Sequence, residues 1–553
     1  QGRYVRVQLS GTNSLHMAEV AVYATKTADD AICITDNCDN IVDVTLSEVS
    51  TQTDNNSCND INYTITRTWT ATDDCGNTAT HVQVITARCE CCRNGIDDDG
   101  DGLVDGNDPE CPCVSGSTSV ACDTIFNYYV PSVWQMRRSS TNQPSNLVIT
   151  TPFPSANVTV RTADGSFNNT YTVVNGTPTI IPLTIDQVQT PNINTVEGDR
   201  GFIVESDRLL QVYYRLDGFY NKLLVTIKGE QALGRAFRTG SQTKVCSGQA
   251  GGWDDEHHMI SVMAVEDNTT VNFEFVTEME GLAGLNHSVT LDAGETYLVI
   301  DTDANETISG SLGTADKPIA LLSGSQHTNQ CGGNGGGRDG GVDQLVPSCL
   351  MGDEYVVVKG YGGPGQNYAV VVGIENDTEV YVYGNPTKVA NLFAGEWVNV
   401  DLTGAEGSST YIRANKPIYV YHISGISTSN TEVGMALAAP AGPCRGDTYT
   451  EFPQFDGAGR HSAYVIIPDA GLPSLELNGR PYTDYTSATV TSVPGFSGYS
   501  TVYFFDADLL DYNILTSDDY YHAGLLIGNN GATGTHGYLT SFKDKIDVPD
   551  PIT

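Results

Sequence analysis

One short string, polar at its start and apolar after, returns at near-constant spacing, and this limits the fold more than any other feature of the chain. Ser206-Asp207-Arg208-Leu209-Leu210-Gln211-Val212-Tyr213-Tyr214 recurs as Ala315-Asp316-Lys317-Pro318-Ile319-Ala320-Leu321-Leu322. It comes back as Ala414-Asn415-Lys416-Pro417-Ile418-Tyr419-Val420-Tyr421, and more faintly as Ser517-Asp518-Asp519-Tyr520-Tyr521. The steps between the second residues are 109, 99 and 103. Upstream landmarks repeat as well. Asp267-Asn268-Thr269-Thr270-Val271 is echoed by Asn376-Asp377-Thr378-Glu379-Val380, and Ala293-Gly294-Glu295 by Ala394-Gly395-Glu396. Self-similarity at a fixed period marks a repeat architecture. Short period-two runs between Gly, Asn and Asp turns make each repeat a β-unit, a sandwich or a blade. Residues 124–545 therefore divide into four β-repeats of about 100 residues each.

Composition agrees with an all-β chain of tandem sandwich-like modules. The 553 residues leave room for about three to five domains. Only 17% are charged, and 57 are Gly and 28 Tyr, whereas long solvent-exposed helices need more Lys, Glu and Arg than this. Lys and Arg total 28 against 67 Asp and Glu, a formal charge of −39. That balance excludes nucleic acid as a partner, because phosphate binding is driven by clustered cations. It also opposes docking on an anionic membrane face. No apolar run approaches the roughly 20 residues of a transmembrane helix. The chain opens without a Met or a signal sequence, and residues 546–553 read as a linker, so the sequence reads as a window of a longer protein.

Fourteen cysteines are placed unevenly, ten of them before residue 123. Zinc would require paired C-x2-4-C units with partner Cys or His, but the spacings are Cys89-x-Cys91-Cys92 and Cys111-x-Cys113 with His scarce nearby. Disulfides, and with them an oxidising extracellular or cell-surface location, follow. The Gly-rich stretch 331–341 reads as a loop anchored by Cys331 and Cys349. Six further cysteines bracket residues 89–122 with open connectivity.

Between them lies the strongest local motif, Asn94-Gly95-Ile96-Asp97-Asp98-Asp99-Gly100-Asp101-Gly102-Leu103-Val104-Asp105-Gly106-Asn107-Asp108. A hard dication needs six to eight oxygens around a tight turn. With Asp97 at loop position 1, Asp99 falls at 3, Asp101 at 5, Gly102 at 6, the Leu103 carbonyl at 7, Asp105 at 9 and Asp108 at 12. This is the EF-hand spacing with Asp in place of the final Glu. Ca2+ is the expected ligand of Asp97, Asp99, Asp101, Leu103, Asp105 and Asp108. Without flanking amphipathic helices, the motif resembles the calcium repeats of thrombospondin type 3 and dockerin modules, which implies a disulfide-clamped calcium junction over residues 89–122.

Further resemblances mark the remaining segments. Tyr4-Val5-Arg6-Val7-Gln8-Leu9 and Glu19-Val20-Ala21-Val22-Tyr23 resemble the last strands of a discoidin-like jelly roll, truncated here to residues 1–26. Arg67-Thr68-Trp69-Thr70-Ala71-Thr72-Asp73-Asp74-Cys75-Gly76-Asn77 resembles the immunoglobulin-like hyalin-repeat family, which makes residues 31–88 a spacer or adhesion module. That resemblance implies a Cys38–Cys75 bridge and, with it, Cys33 paired to Cys58.

The long repeat region carries a third likeness. Tyr128-Tyr129-Val130-Pro131-Ser132-Val133-Trp134, Asn157-Val158-Thr159-Val160, Gly201-Phe202-Ile203-Val204-Glu205-Ser206 and Gly340-Gly341-Val342-Asp343-Gln344-Leu345-Val346-Pro347 before Cys349 resemble the N-terminal domain of the IgG-Fc-binding protein family. The likeness implies a secreted, multi-modular adhesive protein. Chemistry is not expected. No G-x-S-x-G elbow or H-E-x-x-H occurs, and the two G-x-G-x-x-G strings precede β-runs without a Lys. Trp253-Asp254-Asp255-Glu256-His257-His258 is the one cluster that metal or acid–base chemistry would recognise, and it reads as a polar loop. The expected role is structural and adhesive, with copies of the chain associating in a ring or bundle. Cell-surface glycans or glycoproteins are the alternative partners, and service as an accessory region of an extracellular enzyme is the second alternative.

Overall fold

The structure, a computed structural model, describes residues 43–50, 63–72, 78–87, 126–134, 145–217, 222–244, 257–301, 306–328, 339–362, 365–385, 387–425, 433–442, 445–453, 460–529, 533–540 and 542. The chain divides into two compact units. In the first, Asp43–Ser50, Tyr63–Thr72 and Thr78–Ala87 form a three-stranded antiparallel sheet with the middle strand central. These are the period-two runs of the 31–88 segment.

Among the described residues the second unit is β apart from single turns of helix. Its first module pairs strands in the order Phe126–Val130, Phe202–Ser206, Ser155–Arg161, Asn168–Val174 in one sheet. The other sheet runs Lys222–Ile227, Gln211–Asp217, Ser145–Thr150, Thr179–Leu183. Val130, Val158, Phe202 and Val204 of one sheet share a core with Leu147, Ile149, Val212 and Tyr214 of the other, so the two pack face to face. The third module repeats this order, with Glu354–Val358, Ser409–Ala414, Thr378–Val382 and Ala390–Leu392 in one sheet. Val433–Leu437, Ile418–Gly425, Tyr368–Gly373 and Trp397–Asp401 make the other.

In the second and fourth modules the two middle strands fuse. Leu312–Thr328 and Tyr512–Asn529, of 17 and 18 residues, cross from one sheet into the other. Gly234–Arg238 and Thr269–Glu274 flank the first part of Leu312–Thr328, and His257–Ala264 and Asp339–Gln344 flank its second part. Asp447–Pro453, Arg460–Pro468 and Thr533–Tyr538 take the equivalent places on Tyr512–Asn529.

The recurring string has a definite mechanical task. Side-chain oxygens of Asp207, Asp316 and Asn415 accept the backbone N–H groups of Asn157, Thr270 and Glu379 at 2.7–2.8 Å. Lys317 and Lys416 donate to the carbonyls of Asp267 and Asn376 at 2.6 and 2.7 Å. Asp267 and Asn376 in turn accept from Ala293 and Ala394, both at 3.0 Å. Their neighbours Asn268 and Asp377 take positive φ values of 56° and 57°, which Asn and Asp tolerate best among non-glycine residues. The second and third modules thus tie a tight turn to the strand crossing beside it. Asp316→Ala should cost about 1 kcal/mol by leaving the Thr270 N–H without this partner, while Asp316→Asn, which reproduces the third module's residue, should be close to neutral. Thermal melts of both variants check this.

Burial patterns record position. Ser155–Arg161 alternates, with one face in the core and one in solvent. His257–Ala264 and Tyr368–Gly373 are buried at every position, as strands covered on both faces must be. The second covering layer is a neighbouring module. Lys222–Ile227, Asp339–Gln344, Val433–Leu437 and Thr533–Tyr538, one from each module, pack against one another in a closed cycle. Glycine permits the approach. A Cβ on Gly341 would stand 2.9 Å from Met435 Cβ, and one on Gly537 would stand 2.5 Å from a Leu224 methyl.

Candidate binding site

Where the inner strands meet, the first and second modules are joined by a buried ion pair. Lys228 Nζ lies 2.7 Å from Asp343 Oδ1, with side chains 3% and 2% exposed. The ammonium also donates to the Gln344 carbonyl at 2.6 Å. Asp343 Oδ2 accepts the Leu437 N–H of the third module at 2.8 Å. Burial pulls the Lys228 amine down and pushes the Asp343 carboxyl up from their ordinary ranges, and the opposite charge of the partner works against both shifts. Gln344 Nε2 donates to the Tyr129 carbonyl at 2.7 Å.

The other junctions are also polar. His536 Nε2 faces the Tyr464 hydroxyl at 2.9 Å, and its Nδ1 stands 3.3 Å from the His422 carbonyl. The His422 and His536 rings meet edge to face with centroids 4.5 Å apart. Between the fourth and first modules, the buried Glu451 carboxylate accepts from the Tyr449 and Tyr512 hydroxyls and from Asn175 Nδ2. The Tyr213 hydroxyl donates to the Glu451 carbonyl at 2.7 Å. These groups are consumed by the packing and form a hub, closed to ligands.

An open cleft of about 640 Å³ lies instead at the junction of the second and third modules. Val276, Thr277, Glu306, Thr307 and Ser309 of the second module line it, with Leu392, Gly395, Glu396 and Trp397 of the third. Gly310 and Gly395 bring the walls together, since a Cβ on Gly310 would lie 1.8 Å from the Gly395 carbonyl oxygen. Arg238 braces the second module's wall by donating to the Gly310 carbonyl at 3.0 Å. One wall carries a hydroxyl chain, with Ser241 Oγ, Thr307 Oγ1 and Ser309 Oγ within 2.7–3.4 Å of one another. Glu396 holds its own turn, accepting the Phe393 N–H at 2.9 Å. Phe393 and Val276 remain largely exposed beside it.

The residues singled out from sequence fare differently. Asp97, Asp99, Asp101, Leu103, Asp105, Asp108, Cys33, Cys38, Cys58, Cys75 and Cys331 lie outside the described residues, as does the discoidin-like piece. Cys349 is disulfide-bonded, with its partner also outside them. His257 and His258 are buried at the start of their strand rather than exposed in a loop. His258 Nδ1 is 2.9 Å from Ser325 Oγ, and the His257 ring meets Trp134 edge-on at 5.7 Å. Among the described residues no three His, Cys, Asp or Glu side chains gather to hold a metal ion. Sequence reasoning treated Ala394-Gly395-Glu396 only as a repeat landmark and passed over the cleft. The available signal was the next residue, Trp397, which stands where the second module has Thr296.

The family model described as IgGFc binding protein matches residues 225–536, more than half of the chain. The chain belongs to the IgGFc binding protein family. The match starts within the first module's inner strand and ends within the fourth's, so it takes in all four strands of the hub and both walls of the cleft. It is shorter than the 124–545 region drawn from the sequence. The family is one of binding domains and not of enzymes. No curated protein matches the chain. A solved structure described as a membrane-anchored protein from Corynebacterium diphtheriae is 8% identical over 74% of this chain and 98% of its own, with a TM-score of 0.11, too low to bear on the fold. Among the described residues no helix is long and apolar enough to cross a membrane.

Proposed function

We propose that this chain is an extracellular, non-catalytic adhesive module that engages other proteins. The observation that carries this reading is the IgGFc binding protein match over residues 225–536, which spans the second and third modules and most of the fourth. The −39 charge favours basic or neutral partners over nucleic acid and anionic membrane. Surface plasmon resonance of the full chain against an immunoglobulin Fc fragment and against mucin, each before and after enzymatic deglycosylation, tests it. Binding that survives deglycosylation supports protein recognition. Binding lost with the sugars selects the glycan reading, and an absence of binding to either defeats both.

The finer proposal is a surface filament built from associating copies. Light scattering at physiological salt and calcium should give a mass well above 59.2 kDa, and a monomer under those conditions removes the self-assembly part.

The 94–108 segment is proposed to hold one or two Ca2+ ions through Asp97, Asp99, Asp101, Leu103, Asp105 and Asp108, clamped by the neighbouring disulfides. Chelation should raise protease sensitivity between residues 88 and 124. Unchanged cleavage there, with no calcium uptake by titration calorimetry, counts against the site. The Cys331–Cys349 bridge is proposed alongside it, and non-reducing peptide mapping that pairs Cys349 elsewhere refutes it.

A further inference from the structure

We infer that the cleft between the second and third modules captures a basic side chain, lysine or arginine, presented by a partner protein. The inference rests on the adhesive reading above and adds the site and the ligand chemistry to it.

Four observations converge on one small volume. Each wall contributes a solvent-facing carboxylate, Glu306 from the second module and Glu396 from the third, and no Lys or Arg lines the cleft. Among the described residues Glu306 has no hydrogen-bonding or charged partner. The nearest guanidinium, Arg238, is committed to the Gly310 carbonyl. Trp397 supplies an indole, the aromatic ring that attracts a cation most strongly. Finally, Thr277 is 7% exposed and its Oγ1 is buried with no hydrogen-bond partner, although the residue lines the cleft. An unsatisfied buried hydroxyl is costly unless a ligand or water meets it.

These groups complement an ammonium or guanidinium. The cation lies against the indole, its N–H donors reach the Glu306 and Glu396 carboxylates, and a donor on the same head satisfies Thr277 Oγ1. Val276 and Leu392 cover the aliphatic stem, as the mixed apolar and charged character of Lys and Arg requires. At about 640 Å³ the cleft also admits the backbone on either side of that side chain. The surrounding negative field draws basic partners toward it and repels acidic ones. A neutral sugar would use the indole and the hydroxyls but would leave two carboxylates without a counter-charge.

The test uses the full chain and a fluorescent heptapeptide with one arginine among Gly and Ser. The reference peptide carries citrulline, which keeps the shape and removes the charge. Fluorescence anisotropy should show the arginine peptide binding at least about tenfold more tightly than the citrulline peptide. Trp397→Ala and Glu306→Gln should each weaken binding by about tenfold, and Trp397→Phe, which keeps an aromatic packing partner, should weaken it less. Asp518→Asn, which removes an equal charge from the exposed surface of the fourth module, should leave binding unchanged. Equal losses from Asp518→Asn and Glu306→Gln would reduce the effect to general electrostatics and overturn the proposal. Equal affinity for the two peptides, or displacement of the arginine peptide by N-acetyllactosamine, would overturn it in favour of a neutral ligand. If Trp397→Ala and Glu306→Gln still bind the Fc fragment or mucin as the parent does, the cleft assignment fails while the adhesive function stands.

Discussion

Asp343→Asn should lower the stability of the four-module ring by about 3–5 kcal/mol, because it strands a buried ammonium without its counter-charge. Lys228 has little solvent to turn to, with its side chain 3% exposed and its remaining contacts made to the Gln344 and Thr226 carbonyls. The amide oxygen introduced by the substitution can still accept the Leu437 N–H, so the loss isolates the charge rather than the strand contact. Adding Lys228→Met should recover most of it, since a pair removed together costs far less than either partner alone. Urea denaturation of the two single variants and the double variant provides the cycle. Hydrogen exchange in Asp339–Gln344 and Val433–Leu437 reports whether the loss is centred on the hub. A loss below about 1 kcal/mol for Asp343→Asn would mean that water reaches the ammonium and that the pair is not the clasp it resembles.

Mild acid should loosen the third and fourth modules. Burial holds the imidazoles of His522 and His536 down at about 4, and it holds His422 well below its usual value. In the unfolded chain all three titrate near 6.5. The folded state therefore binds fewer protons than the unfolded state between those limits. Stability from these histidines is fully present above about pH 6.5 and is lost as pH falls toward 4. At pH 4 His522 and His536 each cost about 3 kcal/mol, from roughly 2.5 pH units at 1.36 kcal/mol each less the fraction already protonated. Their surroundings offer little relief. His536 faces the Tyr464 hydroxyl and the His422 carbonyl, and Arg445 presses the His522 value further down. The buried carboxyls of Asp343 and Glu451, pushed up by burial, respond in the opposite sense, gaining relative stability as pH falls. The histidine contribution is therefore read as a difference. Stability measured from pH 7 to pH 4 should fall less steeply in His522→Gln/His536→Gln than in the parent, whatever the variant's stability at pH 7. Parallel slopes would exclude the histidines as the acid-sensitive element.

The sequence is most legible where physics is local. Period-two alternation in Ser155–Arg161 and Thr269–Glu274 announces strands with one wet face. The Asp-Asn-Thr and Ala-Gly-Glu echoes announce recurring turns, because a positive φ, a side-chain acceptor and a short loop are all specified within a few residues. All-β architecture follows from these signals alone. The family likeness could also be read directly, from strings around Gly340-Gly341 that later prove to lie on an inner strand.

Tertiary structure decided everything that depends on residues far apart in the chain. Nothing near Lys228 in sequence indicates that its counter-charge is Asp343, more than a hundred positions away. His257 and His258 read as polar loop residues beside an acidic run, yet ladder pairing draws them into a strand covered on both faces. The largely apolar run Met259–Ala264 and the apolar run Ala369–Val372 are compatible with any fully buried strand, and only the packing of neighbouring modules decides what covers their second face. The cleft belongs to the same class. Glu396 and Trp397 follow one turn and Glu306 and Thr277 lie on two separate segments of another module, so no local pattern unites them. The sequence by itself determined the strands and the turns, which are short-range consequences of alternation and turn chemistry. Which modules touch, which charges are buried together and where an opening remains were settled by packing, because burial and electrostatic pairing are properties of neighbours in space.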